Sequence, residues 1–570
     1  MNRIERIKLL AHIARWRLTW SRHSSTYCPR ELRSPLFISA QQAAARIPNK
    51  ATVLSCGMAG NARCSIFFWA IRERFLRENH PRGLTWVNVG AQGGRGKVPG
   101  TVEELALVGL LQRYITGHLE TAKALLRLAD AGQLELFTLP QGQMAQLLAG
   151  QARGESERRA TVGVGTFLDP RTGRGSAVTP HSSNDYIAVA GDGALLYRLP
   201  QIDVCLFNAP YADADGNIYF KHAATLTENV QGAAAARRNG GQVFVAVSAI
   251  IPRDEGAISM AAAEVDGIVV NPHNEQTGSV PQRRYWPMFT VGAKEDEAAA
   301  VEKLKFANKV LRITPVRSAA DDALARLAAA LFVRVTPPEG IANVGVGFPE
   351  EVARVVIGQG LGHRYTFTTE TGVYGGLPAP GIFFGAAINP ARMESSAWMF
   401  DLYAERLAVA VLGFLQVDAA GNVNVSKRGP RMMDYVGPGG FPDIAAGAKT
   451  VIFVGSWMAG AQFAVEKGAM RVKGNGRPKF VGAVDEITLS GREALRQGKQ
   501  VYVVSHVGVF QLTARGLTLV EVMPGIDIAR DILSQQAPRI VLPGDGRVPV
   551  ADASIVTGAG FQLHTPPLDR

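Results

Sequence analysis

Apolar and polar positions along this chain alternate between two periods. Short apolar runs rich in Val, Ile and aromatic residues occupy 51–55, 84–89, 134–138, 202–208, 364–369 and 407–415. Each has the length and composition of a buried strand. Between them lie segments with helical spacing, such as 39–47, which opens on Ser39, and 65–79. A Ser before the first apolar-periodic residue is a helix start, because its hydroxyl accepts a free backbone N–H. Strand, glycine turn and helix recur in that order, which predicts α/βs with mostly parallel sheets.

The order of elements repeats. Ala51-Thr52-Val53-Leu54-Ser55-Cys56-Gly57 in the first half matches Ala342-Asn343-Val344-Gly345-Val346-Gly347 in the second. The strand 202–208 leads into Asp213-Ala214-Asp215-Gly216-Asn217, and 407–415 leads into Asp418-Ala419-Ala420-Gly421-Asn422. Two related open α/β domains follow, 34–273 and 319–570, joined by a linker at 274–318 that holds the charged run Lys294-Glu295-Asp296-Glu297. The length of 570 residues calls for more than one domain.

Residues 1–33 differ from the rest. Eight arginines and lysines there face Glu5 and Glu31, and Trp16 and Trp20 lie among Leu and Ile. A basic amphipathic helix is expected, either packed on the body or serving as a transit, surface or oligomer segment.

Composition narrows the chemistry. With 47% hydrophobic and 19% charged residues the chain is globular, and no apolar run reaches the ~18 residues of a bilayer span. Cys28, Cys56, Cys64 and Cys205 form no CxxC pair and read as free thiols of a reducing, cytoplasmic setting. The ten histidines show no ligand spacing, so no metal is expected. The net charge of +12 suits phosphate-bearing small molecules or plain solubility, and no nucleic-acid motif accompanies it. The basic loop Gly90-Ala91-Gln92-Gly93-Gly94-Arg95-Gly96-Lys97 fails as a P-loop at Ala91 and Val98. It reads as a flexible substrate-facing loop.

One stretch stands apart, Thr368-Thr369-Glu370-Thr371-Gly372-Val373-Tyr374-Gly375-Gly376-Leu377-Pro378-Ala379-Pro380-Gly381. A single carboxylate ends a predicted strand, where ligands bind in α/β sheets. So many glycines read as provision for a ligand or another backbone to come close, not for packing. Residue types alone favour a solvated Glu in a surface turn, since a lone Glu carries little information.

The run from Glu370 to Gly381 resembles the catalytic loop of family I coenzyme A transferases, in particular the fused single-chain type. The resemblance extends from about Arg33 through Leu139-Pro140-Gln141-Gly142, Asn343-Val344-Gly345-Val346-Gly347-Phe348-Pro349, Phe384-Gly385-Ala386-Ala387-Ile388-Asn389-Pro390, Gly421-Asn422-Val423-Asn424-Val425-Ser426-Lys427 and Gly439-Gly440-Phe441-Pro442-Asp443. It implies an acyl-CoA:carboxylate CoA-transferase acting on short-chain substrates. Glu370 would be the covalent nucleophile and Gln141 a side-chain donor to the reacting carbonyl oxygen. Gly345, Gly347, Gly375, Gly376, Asn389 and Lys427 would line the substrate and CoA site. Coenzyme A is then a substrate, no cofactor is needed, and a cytoplasmic homo-oligomer without stable membrane insertion is expected. Hydrolysis of the same intermediate, or acyl-CoA binding without catalysis, are the alternatives.

Two departures from the family pattern carry expectations of their own. Phe400-Asp401-Leu402-Tyr403 runs on into Ala404-Glu405-Arg406 in place of a Gly-rich turn, which places bulky side chains against CoA. The first Gly turn ends in Asn61-Ala62-Arg63 instead of a Pro-Glu pair.

Overall fold

The computed structural model describes residues 1–32, 34–94, 98–180, 182, 186–313, 315–534 and 539–565. Arg95, Gly96 and Lys97 of the basic loop lie outside the described residues.

Two large sheets dominate. The first runs in the order Gly267–Val270, Gln242–Ile250, Val204–Ala212, Thr52–Ser55, Leu84–Asn88, Leu111–Thr116, Glu135–Thr138, and all these neighbours pair in parallel. The second has a parallel centre, Thr366–Thr369, Ile341–Val344, Leu407–Leu412, Thr450–Val454, Gln500–Ser505. Its edges turn antiparallel, through Val373–Tyr374 and Arg392–Met393 on one side and Gly508–Thr513 and Gly516–Val522 on the other. The central strands are buried along their whole length, which is why they read as unbroken apolar runs.

The repeated order of elements has a structural counterpart. In each sheet the first strand, Thr52–Ser55 or Ile341–Val344, pairs on one side with the strand after its own helix. On the other side it pairs with the strand that leads into an Asp-Gly-Asn turn. The two turns are built alike. Asp213 accepts from the amide of Asn217 at 3.0 Å and from its side chain at 2.8 Å. Asp418 does the same with Asn422, both at 3.0 Å.

The N-terminal helix, Arg3–Thr19, is capped by Asn2 in a reciprocal box with Glu5. Its buried residues Leu9, Ile13 and Trp16 share one face. They join Leu304 and Ala307 of the helix Glu297–Leu311 in one apolar cluster with Phe289 and Phe383. The described residues of 274–318 therefore include a helix of their own and a hairpin, Glu275–Thr277 with Val280–Pro281. Among the described residues no helix is long and apolar enough to cross a membrane.

Candidate active site

Glu370 follows the last residue of the strand Thr366–Thr369, at the carboxyl edge of the second sheet's parallel centre. It is only 8% exposed, which removes the solvated surface turn. The threonines around it hold the backbone. Thr368 Oγ1 donates to the Ala342 carbonyl at 2.9 Å, Thr369 Oγ1 donates to the Gly385 carbonyl at 3.0 Å, and Thr371 Oγ1 donates to the same carbonyl. These bonds tie the threonines on either side of Glu370 to the neighbouring strand and to Gly385, which makes a firm mount for the carboxyl.

Burial pushes the Glu370 carboxyl above its ordinary range, because a low-dielectric setting penalises the charged form. Its own amide and the Asn343 side chain pull the other way. Asn343 lies in the buried neighbouring strand Ile341–Val344 and also donates from Nδ2 to Tyr403 Oη at 3.1 Å. Tyr403 is fully buried, and desolvation together with the Glu370 charge pushes its hydroxyl far above the usual range. It therefore stays protonated. Asn343 and Tyr403 were not legible as site residues; their signal is burial of polar groups at the same sheet edge.

Gln141 opens the helix Gln141–Arg153 in the first half, after the strand Glu135–Thr138. Its backbone N–H donates to the Gly439 carbonyl at 3.0 Å. No hydrogen bond among the described residues engages its side-chain amide, although the residue is only 4% exposed. Its Oε1 is the atom buried without a partner, which is costly unless something else bonds it. Gly117 makes room for it, since a Cβ there would overlap Gln141 Cγ and lie 2.8 Å from the Val89 carbonyl oxygen.

The halves meet around these residues. Gly142 N donates to Asp443 Oδ2 at 2.8 Å, and Gln143 Nε2 to Asp443 Oδ1 at 2.7 Å. Burial raises the Asp443 carboxyl to about 6 against these donors. Thr227 N donates to the Thr371 carbonyl at 2.9 Å, and its own carbonyl accepts from Ser396 N at 2.8 Å. Asn61 Nδ2 donates to the Phe384 carbonyl at 2.7 Å. Phe400 packs its ring near Gly142 and Gly440, and 5.8 Å from the Tyr403 ring, edge on. A chain of neighbours, Gly440, Phe400, Tyr403 and Asn343, connects Gln141 with Glu370.

The remaining sequence-derived residues divide. Gly345 follows Asn343, but its N–H donates to the Val411 carbonyl at 2.9 Å. The Gly347 N–H donates to Glu350 Oε1 at 3.0 Å. Neither amide is free for a ligand, whereas those of Val346 and Phe348 carry no hydrogen bond among the described residues. The Cβ side of Gly347 faces open space. Gly375 bonds the Phe367 carbonyl at 2.9 Å, and both Gly375 and Gly376 need positive φ, 75° and 78°. A Cβ on Gly376 would lie 2.8 Å from the Asn389 carbonyl oxygen. These glycines, expected to face a ligand rather than serve packing, let backbone approach backbone. Asn389 is turned away, with Nδ2 on the Glu295 carbonyl at 2.8 Å and Oδ1 accepting from the Glu295 amide at 2.9 Å. Lys427 sits with its ammonium 4.7 Å from the Tyr435 ring centre, in the segment that packs on 117–122.

Both departures take a different form from the one expected. The helix Ser396–Arg406 runs through Ala404, Glu405 and Arg406, all exposed, so neither side chain crowds the site. In the first Gly turn, Arg63 pairs with Glu275 at 3.4 Å. Glu228, which the sequence did not single out, accepts from Gly57 N at 3.0 Å, and burial raises its carboxyl to about 8. The four cysteines are all free, and no group of potential metal ligands occurs among the described residues.

This site and fold have known counterparts. Residues 37–271 match the family model described as coenzyme A transferase. The chain is 32% identical over 514 residues to a caffeate CoA-transferase of Acetobacterium woodii, covering 88% of this chain and 93% of that one. It is 28% identical over 512 residues to the acetate CoA-transferase YdiF of Escherichia coli K12, covering 87% and 91%. The crystal structure of the acyl-CoA transferase YdiF of E. coli O157:H7 in a thioester complex with CoA superposes with a TM-score of 0.80 at 26% identity, covering 93% of this chain and 98% of that one. The protein is an enzyme of the coenzyme A transferase family.

Proposed function

We propose that the enzyme moves coenzyme A from a short-chain acyl-CoA to a free carboxylic acid through covalent intermediates on Glu370. The Glu370 carboxylate attacks the thioester carbonyl carbon, the C–S bond breaks, and the CoA thiolate leaves an acyl-glutamyl anhydride. The thiolate then attacks the glutamyl carbonyl and expels the first acid as its carboxylate, leaving a glutamyl-CoA thioester. The acceptor carboxylate reverses both steps. No net proton is gained or lost, and the energies match because an anhydride can exchange with a thioester. Two easy displacements replace one hard one, which gives ping-pong kinetics.

The observation that carries this reading is a buried carboxyl held above its ordinary pKa, together with a buried Gln141 whose side chain makes no hydrogen bond among the described residues. Desolvation makes the carboxylate a better nucleophile than it is in water. Gln141 Nε2 is the donor for the oxyanion, and an uncharged donor stabilises it without neutralising Glu370. The unbonded amides of Val346 and Phe348 replace those of Gly345 and Gly347 as candidate backbone donors. We assign Lys427 to an anionic part of CoA, and leave Asn389 out of the site because both its amide atoms are bonded elsewhere. The halves 34–273 and 319–570 each supply one wall, in a cytoplasmic homo-oligomer.

The relatives named for acetate and for caffeate bracket the acid to be tested. A CoA-exchange screen with acetate, propionate, butyrate and caffeate, run on wild type and Glu370→Ala, tests the proposal. Exchange with at least one acid and its loss in a folded Glu370→Ala protein are expected. Exchange that survives in Glu370→Ala would refute the assignment, and acyl-CoA breakdown without any acceptor would favour a hydrolase.

A further inference from the structure

The N-terminal helix Arg3–Thr19 carries two apolar faces. One packs on the body through Leu9, Ile13 and Trp16. On the opposite side Ile4, Ile7, Ala11, Ala14 and Leu18 recur at alternating spacings of three and four residues, which sets them in one line along a helix. All five are exposed, Ile4 at 65% and Leu18 at 77%. From Ile4 to Leu18 the line runs about 21 Å, at the helical rise per residue. Apolar residues scattered singly over a surface mean little, but a continuous apolar stripe with a charged rim marks a contact surface.

The rim is of one sign. Lys8 and Arg15 border the stripe on one edge, and Arg3 and Arg17, with Leu10 between them, on the other. All four cations are exposed, and none forms an ion pair among the described residues. Arg17 lies over the Trp20 ring at 4.7 Å, which leaves its charge uncancelled. The one acid of the helix, Glu5, is spent on the cap with Asn2. The back of the helix is held down as well. Arg6 pairs with Glu302 of the helix Glu297–Leu311 at 3.4 Å, and the Trp16 indole donates to Glu275 at 2.6 Å. With that side fixed, the stripe stays turned outward.

Charge decides between occupants. The spacing of the stripe also suits a coiled coil, but Lys8, Arg15, Arg3 and Arg17 would then stand at the flanking positions that select the partner. A second copy brings the same cations to meet them, so the pairing repels itself. A groove that encloses a helix needs more of its girth than packing on the body leaves free. A fluid anionic surface needs the outward face alone. The apolar line enters the boundary between headgroups and acyl chains, and the cations on both edges meet lipid phosphates. We propose that Arg3–Thr19 lays this stripe on an anionic lipid surface and docks the enzyme on a membrane without crossing it. The proposal is independent of the chemical role given to Glu370.

The test is co-sedimentation of the full-length protein with vesicles of phosphatidylcholine alone and of phosphatidylcholine mixed with phosphatidylglycerol. Binding to the mixed vesicles at least about tenfold above the neutral ones is expected, and high salt should weaken it. Ile7→Glu with Leu18→Glu should abolish it. Lys8→Gln with Arg15→Gln should weaken it about 25-fold, at about fivefold for each cation. Arg492→Gln with Arg496→Gln removes two exposed cations elsewhere and should leave it in place. All three variants should keep the melting temperature and the light-scattering mass of the wild type. Absence of binding to the mixed vesicles, binding that survives Ile7→Glu with Leu18→Glu, or an equal loss in the Arg492 and Arg496 variant overturns the proposal. A smaller mass for Ile7→Glu with Leu18→Glu also overturns it, and assigns the stripe to a second copy.

Discussion

The pH dependence of catalysis should respond to a residue that never meets the substrate. Asn343 bonds the Glu370 carboxyl and favours its charged form, while burial favours the neutral one. Asn343→Leu keeps the number and branching of side-chain heavy atoms and removes the donor. A hydrogen bond to a charged group contributes about 1.5–3 kcal/mol, and one pKa unit is about 1.4 kcal/mol. The Glu370 pKa, already raised above 4.5, should therefore rise by about a further 1–2 units. The sign follows from the donor, since losing it destabilises only the carboxylate. The assay is the pH profile of kcat/KM for CoA exchange, which reports the free enzyme's ionisations. Its acid limb should move to higher pH by about 1–2 units, with the plateau changed less than about tenfold. An acid limb that stays in place, or moves to lower pH, would refute the claim that a buried Glu370 must ionise to react.

Three further outcomes follow from the geometry. Gln141→Leu should lower kcat by about 10²–10³-fold, the usual cost of one oxyanion donor, with circular dichroism and melting unchanged. Gly117→Ala should lose activity through displacement of Gln141, because the added methyl overlaps its Cγ, whereas Gly358→Ala, where a Cβ meets nothing, should stay active in the same assay. Glu228 holds its proton up to about 8 in the folded protein and to about 4.5 when unfolded. The folded state binds more protons between these values, so this group's contribution to stability falls as pH rises through the window, by roughly 3 kcal/mol at pH 7. Glu228→Gln should remove that slope, seen as a urea midpoint that falls less between about pH 5 and about pH 8.

Much of the architecture is legible in the chain because buried parallel strands are short, apolar and bounded by glycine turns. The doubled Asp-Gly-Asn turn is legible for a local reason: an Asp side chain bonds the amide four residues on, and Gly216 and Gly421 supply the positive φ. Glu370 sits in a visibly Gly- and Pro-rich turn, but its role and that of Gln141 are legible only through the resemblance to the family's motifs. Other features were hidden. The glycines after Glu370 look like a ligand cradle, but Gly375 and Gly376 serve close packing against 388–391. The amides of Gly345 and Gly347 look available in sequence, yet one is spent on the sheet and the other on Glu350. Ala404-Glu405-Arg406 looks like a replaced turn, and is the end of a helix. Asn343, Tyr403, Asp443 and Glu228 depend on long-range burial, which local pattern does not carry.

The most direct measurement is mass spectrometry of the enzyme incubated with acyl-CoA and no acceptor, then treated with borohydride or hydroxylamine and digested. Reduction or hydroxamate formation at Glu370, absent when acyl-CoA is omitted, is the predicted result. An enzyme that exchanges CoA at full rate while its Glu370 peptide stays unmodified would contradict the account.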